Sequence, residues 1–190
     1  GKDHIFIYSK EMRNRVPIYR KVNTALRSGQ GFDQAVRFTG KSKGRQKYNM
    51  PIGDFIDGLD ATLKTEPLRV YDGMVYRGSK HSTKEKYLKV RSSFVGKSHW
   101  TNKGFLSSST SSDIAEAFRA TRSDITSSGK MYSSVYEIKS KSGKILQGLT
   151  NMDEFEVLFG LGTRFKIKAV EEVFLDSVHT QLRVFLEEIS

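Results

Sequence analysis

Glu154-Phe155-Glu156, inside the run Asp153 to Phe159, sets two carboxylates two residues apart. Side chains on an extended segment alternate between faces, so Glu154 and Glu156 project together while Phe155 turns toward the core. Whatever that face touches meets two negative charges, although a wet sheet edge produces the same pattern. Val75-Tyr76-Arg77-Gly78 ends an apolar, aromatic run in an arginine and then a glycine. A strand built this way delivers a planar, permanently charged fork to an anion such as phosphate, and glycine lets a ligand approach the main chain. A turn with a surface arginine reads the same way. The third pattern runs from Gly104 to Phe118: a short strand, a hydroxyl-rich bend at Ser107 to Ser112, then a helix. Ser111 or Ser112 can cap that helix, and Ile114, Ala117 and Phe118 share one of its faces. Its bland alternative is a serine-rich loop beside a core phenylalanine.

Composition bounds the partners. The chain has 190 residues, 37% of them hydrophobic, enough for one domain with a sizeable core. A formal net charge of +11 draws it toward acidic proteins, nucleic acid or anionic membranes. The basic stretches Lys41 to Lys47 and Lys84 to Lys89 read as solvated loop or helix faces. With no cysteine, disulfides and thiolate metal sites are excluded, and His4, His81, His99 and His179 are scattered without ligand spacing, so no metal is expected. No apolar run is long enough to cross a bilayer as a helix, and Gly1-Lys2-Asp3-His4 does not begin a signal peptide, so a soluble protein is expected. The glycine-rich fingerprint of dinucleotide-binding α/β folds is missing, which argues against a dehydrogenase.

The elements that position the three patterns change period along the chain. A helical stripe covers Ser9 to Leu26, interrupted at Pro17 and ending near Ser28-Gly29. Gly31 to Phe38 reads as a shorter helix and Pro51 to Leu63 as a third. Strands are then expected at Leu68–Tyr71, Met74–Arg77, Gly104–Ser108, Ser133–Ile138, Phe155–Phe159, Thr163–Val170 and Leu182–Ile189, with turns at Asp72-Gly73 and Ser142-Gly143. Helices first and strands after make an α+β protein, one domain over 1–190 with a helical part at 1–66 and a mainly β part at 67–190.

Taken in order, Tyr76-Arg77, then Phe105-Leu106-Ser107-Ser108-Ser109 with Ala115-Glu116-Ala117-Phe118, and last Glu154-Phe155-Glu156, the chain resembles the R-S-E class of arginine-specific mono-ADP-ribosyltransferases, the bacterial toxin and effector group. Its departure is Ser108 where the family's central threonine stands, which keeps a hydroxyl. A rival register takes Ser109-Thr110-Ser111 as the triplet, but the spacing from Phe105 and to Phe118 fits Ser107 better. The resemblance covers Leu68 to Ile189. It implies N-terminal helices on a two-sheet, mainly antiparallel β-sandwich with NAD in a cleft between the sheets.

The resemblance also implies roles. Breaking the nicotinamide–ribose bond builds positive charge on the sugar, which a fixed carboxylate stabilises. Glu156 takes that role and holds the ribose 2′-hydroxyl, oriented by a hydrogen bond from Ser107. Glu154 attracts the acceptor guanidinium and takes its proton, because a protonated guanidinium has no free lone pair of ordinary basicity. Arg77 binds the NAD phosphates, the Gly78 backbone receives the nicotinamide amide, Ser107, Ser108 and Ser109 line the site, and Phe118 stacks on nicotinamide. Of Arg119 and Arg122, Arg122 is favoured for a phosphate, lying one turn beyond Phe118. Gly148 to Asp153 corresponds to the acceptor-recognition loop. NAD is then consumed as substrate, by a secreted monomer acting on a protein arginine in the host cytosol, with actin one candidate target. Two alternatives remain: a basic, non-catalytic nucleic-acid-binding module, and a transferase acting on nucleic acid, against which Glu154 argues.

Overall fold

The computed structural model describes residues 4, 5, 8, 17–39, 47–113, 128–146 and 156–189. Of the helix expected over Ser9 to Leu26, residues 9–16 lie outside these. The rest is α1 (Ile18–Ser28), and Pro17 caps its start rather than interrupting it. Proline suits that place, since its φ of −57° is already close to helical and a missing N–H costs nothing there. Ile18, Val22 and Ala25, spaced for one helical face, are buried. Gly29 at φ 70° ends the helix and donates its N–H to the Ala25 carbonyl at 2.8 Å, a left-handed conformation glycine adopts freely.

Gly31 to Phe38 is not the expected helix. Instead β1 (Ala35–Thr39) pairs antiparallel with β2 (Lys47–Pro51). Val36 is buried between exposed Ala35 and Arg37, a period of two that a helix cannot provide. A valine, a phenylalanine and a threonine within five residues also favour a pleated surface over a helix. The hairpin delivers the chain to α2 (Ile52–Thr65), which buries Ile52, Phe55, Ile56, Leu59 and Leu63. Burial of each such side chain stabilises by roughly 1.5–3 kcal/mol.

The β part comprises β3 (Val70–His81), β4 (His99–Thr101), β5 (Leu106–Ser109), β6 (Met131–Ile145), β7 (Glu156–Phe159), β8 (Arg164–Phe174) and β9 (His179–Glu188), with α3 (Lys84–Ser92) between β3 and β4. The strands connect in the order β3-β5-β7-β6-β9-β8-β4, and β3 also pairs with β6. β6 makes this possible by changing neighbour: it runs parallel to β9 along Met131–Lys139, then antiparallel to β7 at Lys144 and Ile145. Two layers therefore share β3 and β6, and every described pairing except β6 with β9 is antiparallel. Phe105 and Leu158 join the helix-side core of α1 and α2, whereas Leu106, Val157 and Phe159 belong to the core inside the sheets. Thus β5 and β7 lie between the two cores. The architecture is the expected α+β one, helices first on a two-sheet, mainly antiparallel core.

The expected turns at Asp72-Gly73 and Ser142-Gly143 are bends within continuous strands, and they face each other: Tyr71 pairs with Gly143 and Gly73 with Ser140, one extra residue lying on β6. The Ser140 hydroxyl donates to the Tyr71 carbonyl at 2.8 Å and accepts from the Gly143 N–H at 3.2 Å. A Cβ on Gly143 would stand 2.5 Å from Val157 Cγ1, so a larger residue would push β7 away. Buried Glu188 accepts from the backbone N–H groups of Lys141 and Ser142 and from the Ser142 hydroxyl. Bonds to a charged group each contribute about 1.5–3 kcal/mol, so this carboxylate fixes the bend at which β6 leaves β9 for β7.

Candidate active site

The site is assembled where β3, β5 and β7 meet. In the β5–β7 ladder Ser109 is opposite Glu156, Ser108 opposite Val157 and Ser107 opposite Leu158. Paired residues share a face, so Ser107, Ser109 and Glu156 look toward the helix-side core, and Ser108 looks the other way. Directly opposed side chains have Cβ atoms about 4.5–5.5 Å apart and diagonal ones about 7–8 Å. Ser109 is therefore the hydroxyl-bearing residue nearest to Glu156 along the ladder, and Ser107 is one diagonal step away.

Each half of Glu156's surroundings is tied down by the backbone. Its carbonyl accepts from the Leu146 N–H at 3.0 Å, and the buried Ser108 hydroxyl donates to the carbonyl of the next residue, Val157, at 2.8 Å. Because a one-residue slip would turn Glu156 to the opposite face, these two bonds set where the carboxylate points. The Ser109 hydroxyl accepts from the Ser111 N–H at 3.1 Å, which holds the chain as it leaves β5. Ser107 to Ser109 all lie within β5, whereas Thr110 and Ser111, needed by the rival register, come after its end.

Arg77 follows the one ladder pair between β3 and β5, Tyr76 opposite Ser109. Its Nη1 donates to the Ser107 carbonyl at 2.8 Å. A guanidinium carries five N–H donors, so the anchor uses one and leaves the fork's remaining edge for an anion. From Arg77 to His81, β3 keeps β6 as its ladder partner and, among the described residues, pairs with no residue of β5, which runs back antiparallel from Ser109 toward Leu106, so the Gly78 backbone has no ladder partner on that side. The neighbouring Tyr136 phenol is pushed up by burial, against which the Arg77 charge pulls it down.

Three residues that the sequence reading missed complete the wall. Tyr8, buried, accepts from Asn23 Nδ2 at 2.8 Å and donates to the Phe105 carbonyl at 3.4 Å, while the Phe105 N–H donates to Asn23 Oδ1 at 3.0 Å. The side chain of Asn23 thus ties α1 to the residue entering β5. It also explains Gly104, where a Cβ would lie 2.4 Å from Asn23 Oδ1. Burial raises the Tyr8 phenol well above its ordinary value, the Asn23 bond, Arg77 and Arg27 oppose the rise, and Glu156 adds to it. The charges of Arg77, Arg27 and Glu156 thus all act on this one phenol. The available signal was the line Tyr19, Asn23, Arg27 on α1, polar groups at helical spacing beside an apolar stripe.

Arg77, Gly78, Ser107, Ser108, Ser109 and Glu156 are therefore brought together. Glu154, Phe118, Arg119, Arg122 and the stretch Gly148 to Asp153 lie outside the described residues, as does the helix expected from Ile114. Among the described residues no three acidic or histidine side chains are grouped to hold a metal, and no helix is long and apolar enough to cross a membrane.

A helix-backed, twice-layered and mainly antiparallel sheet of this order is the fold of ADP-ribosyltransferases. Vis toxin, an ADP-ribosyltransferase from Vibrio splendidus, superposes with a TM-score of 0.62 at 21% identity over 100% of this chain and 72% of its own. The ADP-ribosyltransferase HopU1 of Pseudomonas syringae pv. tomato gives 0.63 at 16% identity, covering 99% and 75%. Plx2a, an ADP-ribosyltransferase toxin from Paenibacillus larvae, gives 0.57 at 18%, covering 100% and 85%. No protein of curated function matches the sequence. The model of the ADP-ribosyltransferase exoenzyme family matches residues 10–189, and the chain belongs to that family, the bacterial mono-ADP-ribosyltransferases, whose substrate is NAD.

Proposed function

We propose that this chain transfers ADP-ribose from NAD to arginine side chains of a target protein and, without an acceptor, slowly hydrolyses NAD. The observation that supports this most is the position of Ser107. Its carbonyl holds the Arg77 guanidinium and its side chain shares the face of Glu156, so one residue of one strand relates the cation for the pyrophosphate to the anion for the sugar.

In this reading Glu156 stabilises the cationic ribose as nicotinamide leaves and holds its 2′-hydroxyl. Ser107 and Ser109 orient the carboxylate from its own face, and Ser108 locks the register that presents it. Arg77, with Arg27 from α1 and Arg122, holds the pyrophosphate. The Gly78 backbone receives the nicotinamide amide, and Phe118 stacks on its ring. Glu154 draws in the acceptor arginine and removes its proton. Vis has been crystallised with agmatine, which carries the guanidinium of arginine on a short amine, and this favours the same acceptor here. The chain is read as one catalytic domain, 1–190, of a secreted virulence toxin that works as a monomer in the host cytosol, with actin one candidate target.

Incubation with NAD and agmatine tests the reading. Nicotinamide release should rise when agmatine is added, and ADP-ribosylagmatine should accumulate. Release that is indifferent to agmatine, with no such product, would remove arginine as the acceptor.

Arg77→Ala should weaken NAD binding by about tenfold to a hundredfold, since hydrogen bonds to a charged group contribute roughly 1.5–3 kcal/mol. Lysine should restore only part, because it lacks the planar fork. Calorimetric titration giving one affinity for Arg77→Ala and the unaltered protein would take Arg77 out of the site.

A further inference from the structure

Phe105 stands one residue before β5 and outside its ladder with β7, so its backbone groups must find partners elsewhere. The helical layer supplies both. The Phe105 N–H donates to Asn23 Oδ1 at 3.0 Å, the Phe105 carbonyl accepts from the Tyr8 hydroxyl at 3.4 Å, and that hydroxyl accepts from Asn23 Nδ2 at 2.8 Å. A backbone N–H can only donate, so the amide oxygen of Asn23 must face Phe105 and its nitrogen must face Tyr8. Three bonds thus close a ring between α1, Tyr8 and the start of β5. Around the ring the packing is apolar: Ile18, Val22 and Ala25 share one core with Phe105 and Leu158. Apolar burial has no preferred direction and lets a helix slide, whereas hydrogen bonds fix a direction and a distance.

Each arm of the ring leads to a cation. Two residues beyond Phe105, the Ser107 carbonyl holds the Arg77 guanidinium at 2.8 Å. Four residues beyond Asn23, and so on the same face of α1, comes the exposed Arg27. The Tyr8 phenol, raised chiefly by burial, feels both, since Arg77 and Arg27 each pull it down. Gly104 belongs to the same device. It is buried, and a Cβ there would stand 2.4 Å from Asn23 Oδ1 and 3.2 Å from its Cγ, but 3.7 Å from its Cβ. An alanine at 104 therefore collides with the amide of Asn23 and not with the stem that carries it.

We propose that Asn23 is a positioning residue: with Tyr8 it clamps Phe105 and thereby fixes Arg27 on the helix relative to Arg77 on the sheet. This rests on the proposed function, in which both arginines hold the NAD pyrophosphate. A pyrophosphate that bridges two elements binds best when both are already in place, because ordering a loose helix on binding subtracts from affinity. Tyr8 is 2% exposed and offers no surface to a ligand, so its effect must pass through Asn23 and Phe105. The clamp serves NAD and not the acceptor. Its loss therefore lowers NAD affinity and leaves the ratio of transfer to hydrolysis unchanged.

Calorimetric titration of the whole chain with NAD tests the clamp in a double-mutant cycle. Asn23→Ala and Arg27→Gln should each weaken NAD binding about tenfold, and the double variant should bind no more weakly than Arg27→Gln alone, because a misplaced arginine and an absent one are lost alike. Tyr8→Phe keeps its ring against Phe105 and should weaken binding in the same direction by less; it replaces Asn23→Ala in the cycle if that variant does not fold. Gly104→Ala should match Asn23→Ala when made alone and add nothing when made in Asn23→Ala, where the amide it strikes is gone. Losses from Asn23→Ala and Arg27→Gln that multiply would show that Asn23 acts apart from Arg27. That result, unchanged NAD affinity in both Asn23→Ala and Tyr8→Phe, a Gly104→Ala effect of equal size in both backgrounds, or a changed ratio of transfer to hydrolysis would each overturn the clamp and leave the transferase reading intact. An unaltered protein that binds no NAD would overturn both.

Discussion

Glu156→Gln abolishes both nicotinamide release into water and transfer to agmatine, each by about a hundredfold or more, while NAD still binds. The expectation follows from where the charge is needed. Both reactions pass through the same cationic sugar, and a carboxylate held in place lowers that barrier without reorganising, whereas an amide of the same shape carries no charge to offer. Glu156 is well placed to be rigid: it begins β7, its carbonyl is bound by the Leu146 N–H, and Val157 is clamped by the Ser108 hydroxyl. Neither bond involves the Glu156 side chain, so the glutamine variant should keep its melting temperature. The measurement is nicotinamide release with and without agmatine, at saturating NAD. Retention of more than about a tenth of either rate would show that Glu156 is not the stabilising charge.

How far the sequence foretold this arrangement depends on the range of the forces involved. Glu156, Ser107 to Ser109 and Arg77 were legible because the chemistry of each rests on its immediate neighbours: a two-residue alternation, a run of hydroxyls, an arginine before a glycine. Their register was not. That Ser109 rather than Ser107 stands across from Glu156 is decided by how β5 and β7 pair. Asn23 and Tyr8 were invisible for the same reason, since Asn23 acts on Phe105, 82 positions along the chain. Local signals also misled where tertiary pairing outweighed them. Asp72-Gly73 and Ser142-Gly143 have turn composition, yet the two stretches lie opposite each other and become matching irregularities in one long ladder, secured by Ser140 and Glu188. In the same way Gly31 to Phe38 looked helical until β2 supplied a partner for Val36 and its neighbours. The short strand β4 gave no warning either, because three residues are too few to establish a period.

The two glutamates should separate when only one is changed. Glu154→Gln loses transfer to agmatine by a factor of about a hundred, within the usual range for removing a general base, and keeps most of its hydrolysis of NAD by water. The reason lies in the nucleophiles. A guanidinium arrives protonated and must be attracted and relieved of a proton before it can attack, whereas water carries no charge for a second carboxylate to attract. Glu154, two residues before Glu156, is the acid expected to share its face on an extended segment, so an acceptor that it steers would arrive beside the sugar that Glu156 stabilises. Two like charges on one face also repel, so removing Glu154 should stabilise the fold slightly if it changes it at all, and a lowered melting temperature would mark a structural role instead. The decisive quantity is the ratio of transfer to hydrolysis in one preparation, which cancels errors in active concentration. A ratio that falls by about a hundredfold in Glu154→Gln, beside the joint loss of both reactions in Glu156→Gln, assigns one acid to the acceptor and the other to the sugar. A ratio that stays at the value of the unaltered protein leaves arginine specificity without a residue to carry it, and the acceptor must then be sought among other nucleophiles.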